Sequence, residues 1–232
     1  MKFFKRSLLI TLTLVFAITF SGYSAPNKQL EADLTRNYKE GVACIQKDGK
    51  FGFINKSGEI VVAPVWDDAY IFTNGMAKVK KDGKWGFVDK SGTVIVKPIY
   101  TSVEFFNSNL AQVKKDGKWG LINKNGDVIL KPEFDVIDPF YKGKARVLIN
   151  GKWGVVNTSG EYITKPTYEL MRYVSEGLIA VKQDGKWGFC DRSGQIKIAP
   201  YWERVDNFRN DRARVFDGQK WGFIDKSGDV IY

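Results

Sequence analysis

Hydrophobic and polar residues alternate along most of the chain in short runs that predict β-strands. Residues 75–79 read Gly-Met-Ala-Lys-Val, with a small or apolar residue at every second position. The pair Asp82-Gly83 follows, and both residue types tolerate the positive φ angles of a type I′ turn. The sequence therefore predicts a tight hairpin whose second strand contains Trp85.

A third predicted strand extends each hairpin into an antiparallel meander. Residues 89–92, Asp-Lys-Ser-Gly, form the second turn signal, with glycine at the left-handed position. The third strand, for example residues 94–96, is expected to end near Pro98, because proline lacks the donor that central pairing needs. The connector that follows has room for a fourth, irregular strand.

This pattern recurs six times at a constant spacing of 34 residues. An aromatic residue, here called the slot residue, marks the same position in each copy: Phe51, Trp85, Trp119, Trp153, Trp187 and Trp221. Because the spacing never changes, we expect units that contact one another through a fixed geometry. The predicted strands carry apolar residues on both faces, and stacking of neighbouring meanders covers both.

We therefore expect an all-β fold of six tandem antiparallel β-meanders, each 34 residues long, stacked as an open, solenoid-like array. A closed, six-bladed, propeller-like ring is the alternative. The repeat pattern begins with a first strand at residue 41 and stops with a third strand at 230–232. A ring closed within one blade would divide a unit between the ends, and its blades usually have ~40 to 45 residues.

The recurring Gly-Lys-Trp/Phe-Gly, the Asp/Asn-Lys-Ser-Gly turn and the Lys/Ala-Pro downstream resemble the bacterial WG-repeat (KWG-repeat) family. The resemblance covers nearly all of residues 41–232. It implies an all-β repeat and favours a non-enzymatic role, and it implies no particular ligand.

Residues 1–24 are predicted to be a secretory signal peptide. Three positive charges precede an apolar run of about 13 residues, which is shorter than the ~20 that span a bilayer. Small residues at Gly22 and Ser24 have the spacing of a cleavage site. We expect cleavage after Ser24 and a secreted, periplasmic or cell-envelope protein without a stable membrane anchor.

Two further segments complete the predicted organisation. Residues 25–40 are polar and lack the repeat pattern, so we expect an N-terminal tether or cap. Residues 41–232 form the predicted β domain of six units.

The connector aromatics are the predicted ligand-binding residues, because they lie outside the regular predicted pairing. They are Trp66, Tyr100, Tyr168 and Trp202. The slot tryptophans are expected in the core instead, with the neighbouring glycine allowing contact between units. We therefore expect Trp119→Ala to destabilise the protein more than Trp66→Ala.

A lysine precedes each slot residue and forms a predicted cationic stripe. Its members are Lys50, Lys84, Lys118, Lys152, Lys186 and Lys220. Loss of the three positive charges of the signal peptide lowers the formal net charge from +10 to +7, so the remaining chain stays basic. Such a stripe can attract an anionic envelope polymer, although lysines also protect sheet edges from aggregation. Nucleic acid is not an expected partner of a secreted chain.

The sequence indicates no metal, cofactor or catalytic centre. The chain contains no histidine, and the single Asp or Asn of each second turn is interpreted as turn-forming. Cys44 and Cys190 are separated by four repeats, so no disulfide is expected, and Cys190 takes an apolar position. Paired carboxylates such as Asp67 and Asp68 keep a glycosidase conceivable.

The leading functional hypothesis is a non-enzymatic secreted scaffold that binds a protein partner through an extended face. The first alternative is a module that binds carbohydrate or a cell-wall polymer through the connector aromatics and the lysine stripe. A glycoside-hydrolase-type enzyme is the third.

Overall fold

A computed structural model describes residues 34–231, which fold into β-strands and turns. The predicted signal peptide, residues 25–33 of the predicted tether or cap, and Tyr232 lie outside the described residues. Within residues 34–231 there is no helix long and apolar enough to cross a membrane.

Within residues 34–231, twenty-four strands form six antiparallel four-stranded sheets. The first sheet contains β1 (Leu34–Thr35), β2 (Val42–Lys47), β3 (Lys50–Asn55) and β4 (Ile60–Trp66). The second contains β5 (Asp68–Ala69), β6 (Met76–Lys81), β7 (Lys84–Asp89) and β8 (Val94–Tyr100). The third contains β9 (Ser102–Val103), β10 (Leu110–Lys115), β11 (Lys118–Asn123) and β12 (Val128–Phe134).

The remaining sheets repeat the arrangement. The fourth contains β13 (Val136–Ile137), β14 (Lys144–Ile149), β15 (Lys152–Asn157) and β16 (Tyr162–Tyr168). The fifth contains β17 (Leu170–Met171), β18 (Ile179–Gln183), β19 (Lys186–Cys190) and β20 (Ile196–Trp202). The sixth contains β21 (Arg204–Val205), β22 (Ala213–Phe216), β23 (Trp221–Ile224) and β24 (Val230–Ile231).

Each sheet follows the chain order, and its outermost strand is a two-residue segment of the connector. In the second sheet, β5 pairs with β6 through Asp68 opposite Lys80 and Ala69 opposite Val79. The fourth strand suggested by the connector sequence is therefore present. In the first sheet this strand is β1, which precedes the boundary predicted at residue 41.

Both predicted turn types are confirmed. Asp82 and Gly83 have φ angles of 50° and 74°, as a type I′ hairpin turn requires. In the second turn, Oδ1 of Asp89 accepts hydrogen bonds from the backbone N–H groups of Ser91 and Thr93, both at 2.9 Å. The recurring Asp or Asn therefore closes the turn, as predicted.

The third strand runs past the proline, which corrects the prediction that it ends there. In β8 the pairing shifts around Pro98: Phe87 lies opposite Val96, whereas Trp85 lies opposite Tyr100. A Cβ placed on Gly86 would lie 2.2 Å from the carbonyl oxygen of Val96. Glycine thus lets the third strand cross close to the second within one unit. The expectation that this glycine serves contact between units is wrong.

Each of the four inner sheets packs one face against the preceding unit and the other against the following unit. Phe87 and Val96 of the second sheet, for example, share a buried cluster with Phe106, Ala111 and Val113 of the third unit. The hydrophobic core is therefore a series of layers between sheets, as expected for a stacked repeat protein.

The last sheet shows that the array is open. Phe223 is 51% exposed, whereas its counterparts in the five earlier sheets are at most 1% exposed: Phe53, Phe87, Leu121, Val155 and Phe189. Those five side chains are covered by the next unit, and Phe223 has no such cover among the described residues. The prediction of an all-β array of six stacked meanders is confirmed.

Candidate binding surface

The contact between one unit and the next is here called a seam, and the five seams are numbered in chain order. Three seams are closed by an edge-to-face pair of phenylalanine rings with centroids 4.8 Å apart. These pairs are Phe53–Phe72 in seam 1, Phe87–Phe106 in seam 2 and Phe189–Phe208 in seam 5. Seam 3 has Leu121 and Phe140 at these positions, and seam 4 has Val155 and Val174.

A side-chain donor crosses every seam to a backbone carbonyl of the next connector strand. The five bonds are Arg36 to Ala69 (2.9 Å), Lys78 to Val103 (3.4 Å), Gln112 to Ile137 (3.0 Å), Arg146 to Met171 (2.7 Å) and Arg172 to Val205 (3.0 Å). Each donor thereby gives a hydrogen-bond partner to a backbone carbonyl of an outermost strand. The seams are therefore fixed in register as well as packed.

In seam 2, Lys78 lies among three aromatic rings. Its Nζ is 3.9 Å from the ring centre of Phe105, 4.4 Å from that of Tyr70 and 5.8 Å from that of Trp85. Burial lowers the pKa of Lys78. The arrangement is a cation–π cluster, which stabilises the ammonium at the solvent edge of the seam.

In seam 4, Arg146 has the corresponding role. Its guanidinium is paired with Asp138 (2.5 Å) and lies over the rings of Trp153 and Tyr173, at 5.1 and 4.3 Å. At the same seam, the guanidinium of Arg192 lies 4.6 Å from the ring centre of Tyr141. Tyr141 and Tyr173 nevertheless remain 54% and 76% exposed.

Cavities open at the two seams that lack the phenylalanine pair. One of about 790 Å³ lies at seam 3, beside Phe105, Leu121 and Phe140. One of about 350 Å³ lies at seam 4, beside Val155 and Val174. A third, of about 660 Å³, borders the exposed Phe223 on the last sheet. The three cavities are bordered by residues at the same position of the repeat, namely Leu121, Val155 and Phe223.

The exposed aromatic residues that border the seams, together with the cations packed on them, are here called the seam face. It consists of Tyr70, Phe105, Tyr141 and Tyr173 with the cations Lys78, Arg146 and Arg192. Aromatic residues and arginine are the types enriched in protein interfaces.

The repeat frame itself is shared with known sequences. The sequence profile described as "WG containing repeat" matches residues 51–85, 85–119, 119–153, 153–187 and 187–221. The chain belongs to the WG containing repeat family. The predicted resemblance is thereby confirmed. No protein of curated function matches the chain.

Several solved structures resemble these WG repeats distantly. A eukaryotic initiation factor shares 11% identity at a TM-score of 0.42, over 90% of this chain and 67% of that chain. PorZ, a surface component of the type-IX secretion system of Porphyromonas gingivalis, shares 10% at 0.33, over 82% and 30%. Hsv2 of Kluyveromyces lactis shares 10% at 0.35, over 82% and 71%. Likenesses this weak support no statement about function.

The predicted ligand-binding aromatics of the WG repeats are not accessible. Trp66, Tyr100 and Tyr168 are 6%, 4% and 3% exposed, and Trp202 is half-buried. Each lies opposite a slot residue, as Tyr100 lies opposite Trp85, and its side chain points into the seam. The expectation that these residues lie outside regular pairing is wrong, because the strand continues through the proline.

The slot residues are less buried than predicted. Trp187 is 9% exposed, whereas Trp85, Trp119 and Trp153 are half-buried and Trp221 is 45% exposed. A cation lies over the ring of every slot residue: Arg36 at Phe51, Lys80 at Trp85, Lys114 at Trp119, Arg146 at Trp153, Arg172 at Trp187 and Arg214 at Trp221. The slot residues therefore lie at the outer border of the core.

The predicted cationic stripe is largely neutralised by acids in register. Lys50 pairs with Asp67 at 2.6 Å, Lys118 with Asp135, Lys186 with Glu203, and Lys152 more loosely with Glu169 at 3.9 Å. In the unit that contains Lys84, the neutral Thr101 stands where these units have the acid. Lys220 has no ion pair among residues 34–231. The stripe is thus a poor source of attraction for polyanions.

The acidic residues considered for catalysis serve structural bonds. The hydrogen bond from Lys50 lowers the pKa of Asp67, and Asp67 also accepts from the N–H of Asp82 at 2.7 Å. A general acid of a glycosidase needs a raised pKa instead. Asp68 accepts from the N–H of Ala69. In the described part of the chain, no cluster of three or more Cys, Asp or Glu could hold a metal ion.

Sequence reasoning missed the seam face, although one signal was readable. The positions of Tyr70 and Phe105 vary widely between copies: the first is Arg, Tyr, Glu, Asp, Arg and Asp in turn. The buried position of Val79, by contrast, is Ile once and Val in the five other copies. Exposed positions that vary on a constant frame are available for recognition, as on the binding faces of repeat proteins.

Proposed function

We propose that this chain is a non-enzymatic repeat scaffold, secreted or held in the cell envelope, that binds a protein partner through the seam face. The observation that carries the proposal is the contrast between a constant frame and a variable, exposed, aromatic edge. The frame is built from repeated turns and layered cores, whereas the seam face differs from unit to unit.

The chemistry of the seam face supports a protein partner. Tyr70, Phe105, Tyr141 and Tyr173 are each at least 39% exposed, and exposed rings next to cations are characteristic of interface residues. The cations are held in place by ring contacts and by bonds to the next unit. The surface is therefore largely organised before binding, which lowers the entropic cost of association.

The test compares two double variants with the unaltered chain. Tyr70→Ser with Tyr173→Ser removes two rings of the seam face, and Tyr162→Ser with Tyr201→Ser removes two exposed rings elsewhere. Each protein is immobilised, and envelope extract of the source cells is passed over it. We expect a protein that the unaltered chain and the control variant retain and that the seam variant loses.

Equal retention by both variants, or no retained protein at all, contradicts the proposal. Thermal melting of each variant must stay near that of the unaltered chain, so that loss of retention reports the surface rather than the fold.

A carbohydrate partner is the second candidate, and the cavity at seam 3 favours it. Glu104, Asn107 and Asn109 border that cavity next to Phe105, which is 39% exposed. Amide and carboxylate groups can bond adjacent hydroxyls while the ring stacks on a sugar face. A glycan array at low salt with the unaltered chain and Phe105→Ala tests this candidate, and absence of binding dismisses it.

A further inference from the structure

Seam 4 lacks both rings of the pair that closes three of the other seams. Where those seams carry two phenylalanines with centroids 4.8 Å apart, seam 4 carries Val155 and Val174. Val155 is only 1% exposed, so the two units still pack against each other at this seam although both rings are absent. Missing volume in a frame that cannot collapse leaves a cavity.

A cavity is present at that place. It measures about 350 Å³ and is bordered by Val155 and Val174, with the buried Ile179 at its base. The volume exceeds the ~150 Å³ of an engineered apolar cavity that accepts benzene. It falls within the ~300 to 1,000 Å³ range of natural ligand pockets. One aromatic side chain therefore fits with room to spare.

The entrance of the cavity is flanked by rings and cations. Tyr141 stands on one side under Arg192, and Tyr173 stands on the other over Arg146. Both tyrosines are more than half exposed, so the parts of their rings that the arginines leave uncovered are accessible to a guest. Tyrosine and arginine around an apolar pocket are the composition of an interface hot spot.

The charge at the entrance selects the guest further. Arg146 is neutralised by Asp138, but Arg192 and Lys144, which also border the cavity, have no carboxylate partner among residues 34–231. Arg192 lies over the ring of Tyr141, at 4.6 Å. The entrance therefore carries uncompensated positive charge, which complements an acidic segment.

We propose that seam 4 is an anchor pocket that takes one aromatic side chain from an acidic, extended segment of the partner protein. The guest ring replaces the missing pair, and acidic neighbours of the guest meet Arg192 and Lys144. This inference rests on the proposed function and specifies the partner chemistry that the scaffold recognises.

The probe is a fluorescein-labelled, blocked pentapeptide Asp-Glu-Phe-Glu-Asp, and binding to the full chain is followed by fluorescence anisotropy. Two comparison peptides replace the phenylalanine by alanine or all four acids by lysine. We expect the alanine and lysine peptides to bind at least tenfold more weakly. Burial of a phenylalanine ring corresponds to a tenfold or larger effect.

The decisive variant fills the pocket. Val155→Phe with Val174→Phe recreates the pair found in seams 1, 2 and 5, so it should fold and melt at the same or a higher temperature. We expect it to bind the phenylalanine peptide no better than the alanine peptide. Arg192→Glu should weaken binding at least fivefold, whereas the exposed Lys56→Glu, on another unit, should change it less than twofold.

Equal binding of the phenylalanine and alanine peptides, or unchanged binding by the filled variant, overturns the anchor pocket. Should the filled variant fail to fold, the matched pair Arg192→Glu and Lys56→Glu decides, and an equal effect of the two overturns the proposal. If peptide binding fails while an envelope protein still distinguishes the seam variant from its control, the scaffold function stands and only the pocket is rejected. If the pocket binds the peptide but no envelope protein is retained, the scaffold function is rejected instead.

Discussion

Gly86, the glycine of the second WG motif, offers a sharp test of how the third strand is held. Substitution by alanine places a Cβ 2.2 Å from the carbonyl oxygen of Val96 and 2.8 Å from the nitrogen of Pro98. Contacts of Cβ below 3.0 Å are essentially never tolerated, and both contacted atoms belong to the backbone. The third strand of the second unit must therefore move away from the second strand.

The magnitude follows from two opposing effects. Displacing packed backbone costs about 1 to 3 kcal/mol, with the upper end expected for so close a contact. Replacing glycine by alanine also restricts the unfolded chain, which stabilises the protein by about 0.4 to 1 kcal/mol where no clash occurs. For Gly86→Ala we expect a net loss of about 2 kcal/mol.

The same motif supplies a matched control. Gly222 occupies the equivalent position in the last unit, and a Cβ added there meets no atom within 4 Å. Among the described residues, the last sheet has no counterpart of Pro98. Gly222→Ala should therefore be neutral or stabilise the protein by up to about 1 kcal/mol.

Thermal melting and urea denaturation measure both variants. A difference of about 3 kcal/mol corresponds to roughly 6 to 12 °C in melting temperature for a domain of this size. Equal melting temperatures for Gly86→Ala and Gly222→Ala would refute the argument that the motif glycine serves the crossing of two strands within one unit.

Three further predictions follow from burial and charge. Trp66→Ala should destabilise the protein by about 3 to 5 kcal/mol and the half-buried Trp119→Ala by about 1 to 2 kcal/mol, as measured by urea denaturation. This order is the opposite of the one expected from the sequence, because Trp66 is the more deeply buried of the two, and a larger loss for Trp119→Ala would reject the burial argument. Because the bond from Lys50 lowers the pKa of Asp67, that carboxylate contributes stability above its unfolded pKa of about 3.9 and loses it as the pH falls further. The melting temperature should therefore drop as the pH falls below about 4, and a constant value there would contradict this assignment. Burial raises the pKa of Cys190 to about 12, so its thiol should react with a thiol reagent only after unfolding, and rapid reaction of the folded protein would show otherwise.

The sequence predicts the units well because their determinants are local. The Asp82-Gly83 turn and the side chain of Asp89 close their turns with bonds to residues at most four positions away. The period of 34 residues then sets the number of units and the contact of each unit with the next. Family and fold could therefore be derived without coordinates.

The connector aromatics were assigned to the wrong environment because proline was read as the end of the strand. The alternation in fact continues through Pro98: Val96 and Tyr100 are buried, while Lys97 and Ile99 are exposed. Extending the two-residue alternation of the third strand by four residues, from Val96 to Tyr100, would have placed Tyr100 in the core.

The seam face required coordinates for a different reason. Lys78 lies over the ring of Phe105, a residue 27 positions away in the next unit, and donates to the carbonyl of Val103. Which polar side chains cross a seam depends on the offset between two stacked sheets, and the period alone does not determine that offset. The cavity at seam 4 likewise becomes visible only when Val155 and Val174 face each other.

The short reach of the contacts has a kinetic consequence. Every strand pairs with a neighbour joined to it by a short loop, and the five seam hydrogen bonds connect residues 25 to 33 positions apart. Although the protein is all-β, its contact order is therefore low, and closing these loops requires little chain entropy. Folding can begin at any sheet and spread to its neighbours, so a chain that emerges gradually can acquire structure one unit at a time.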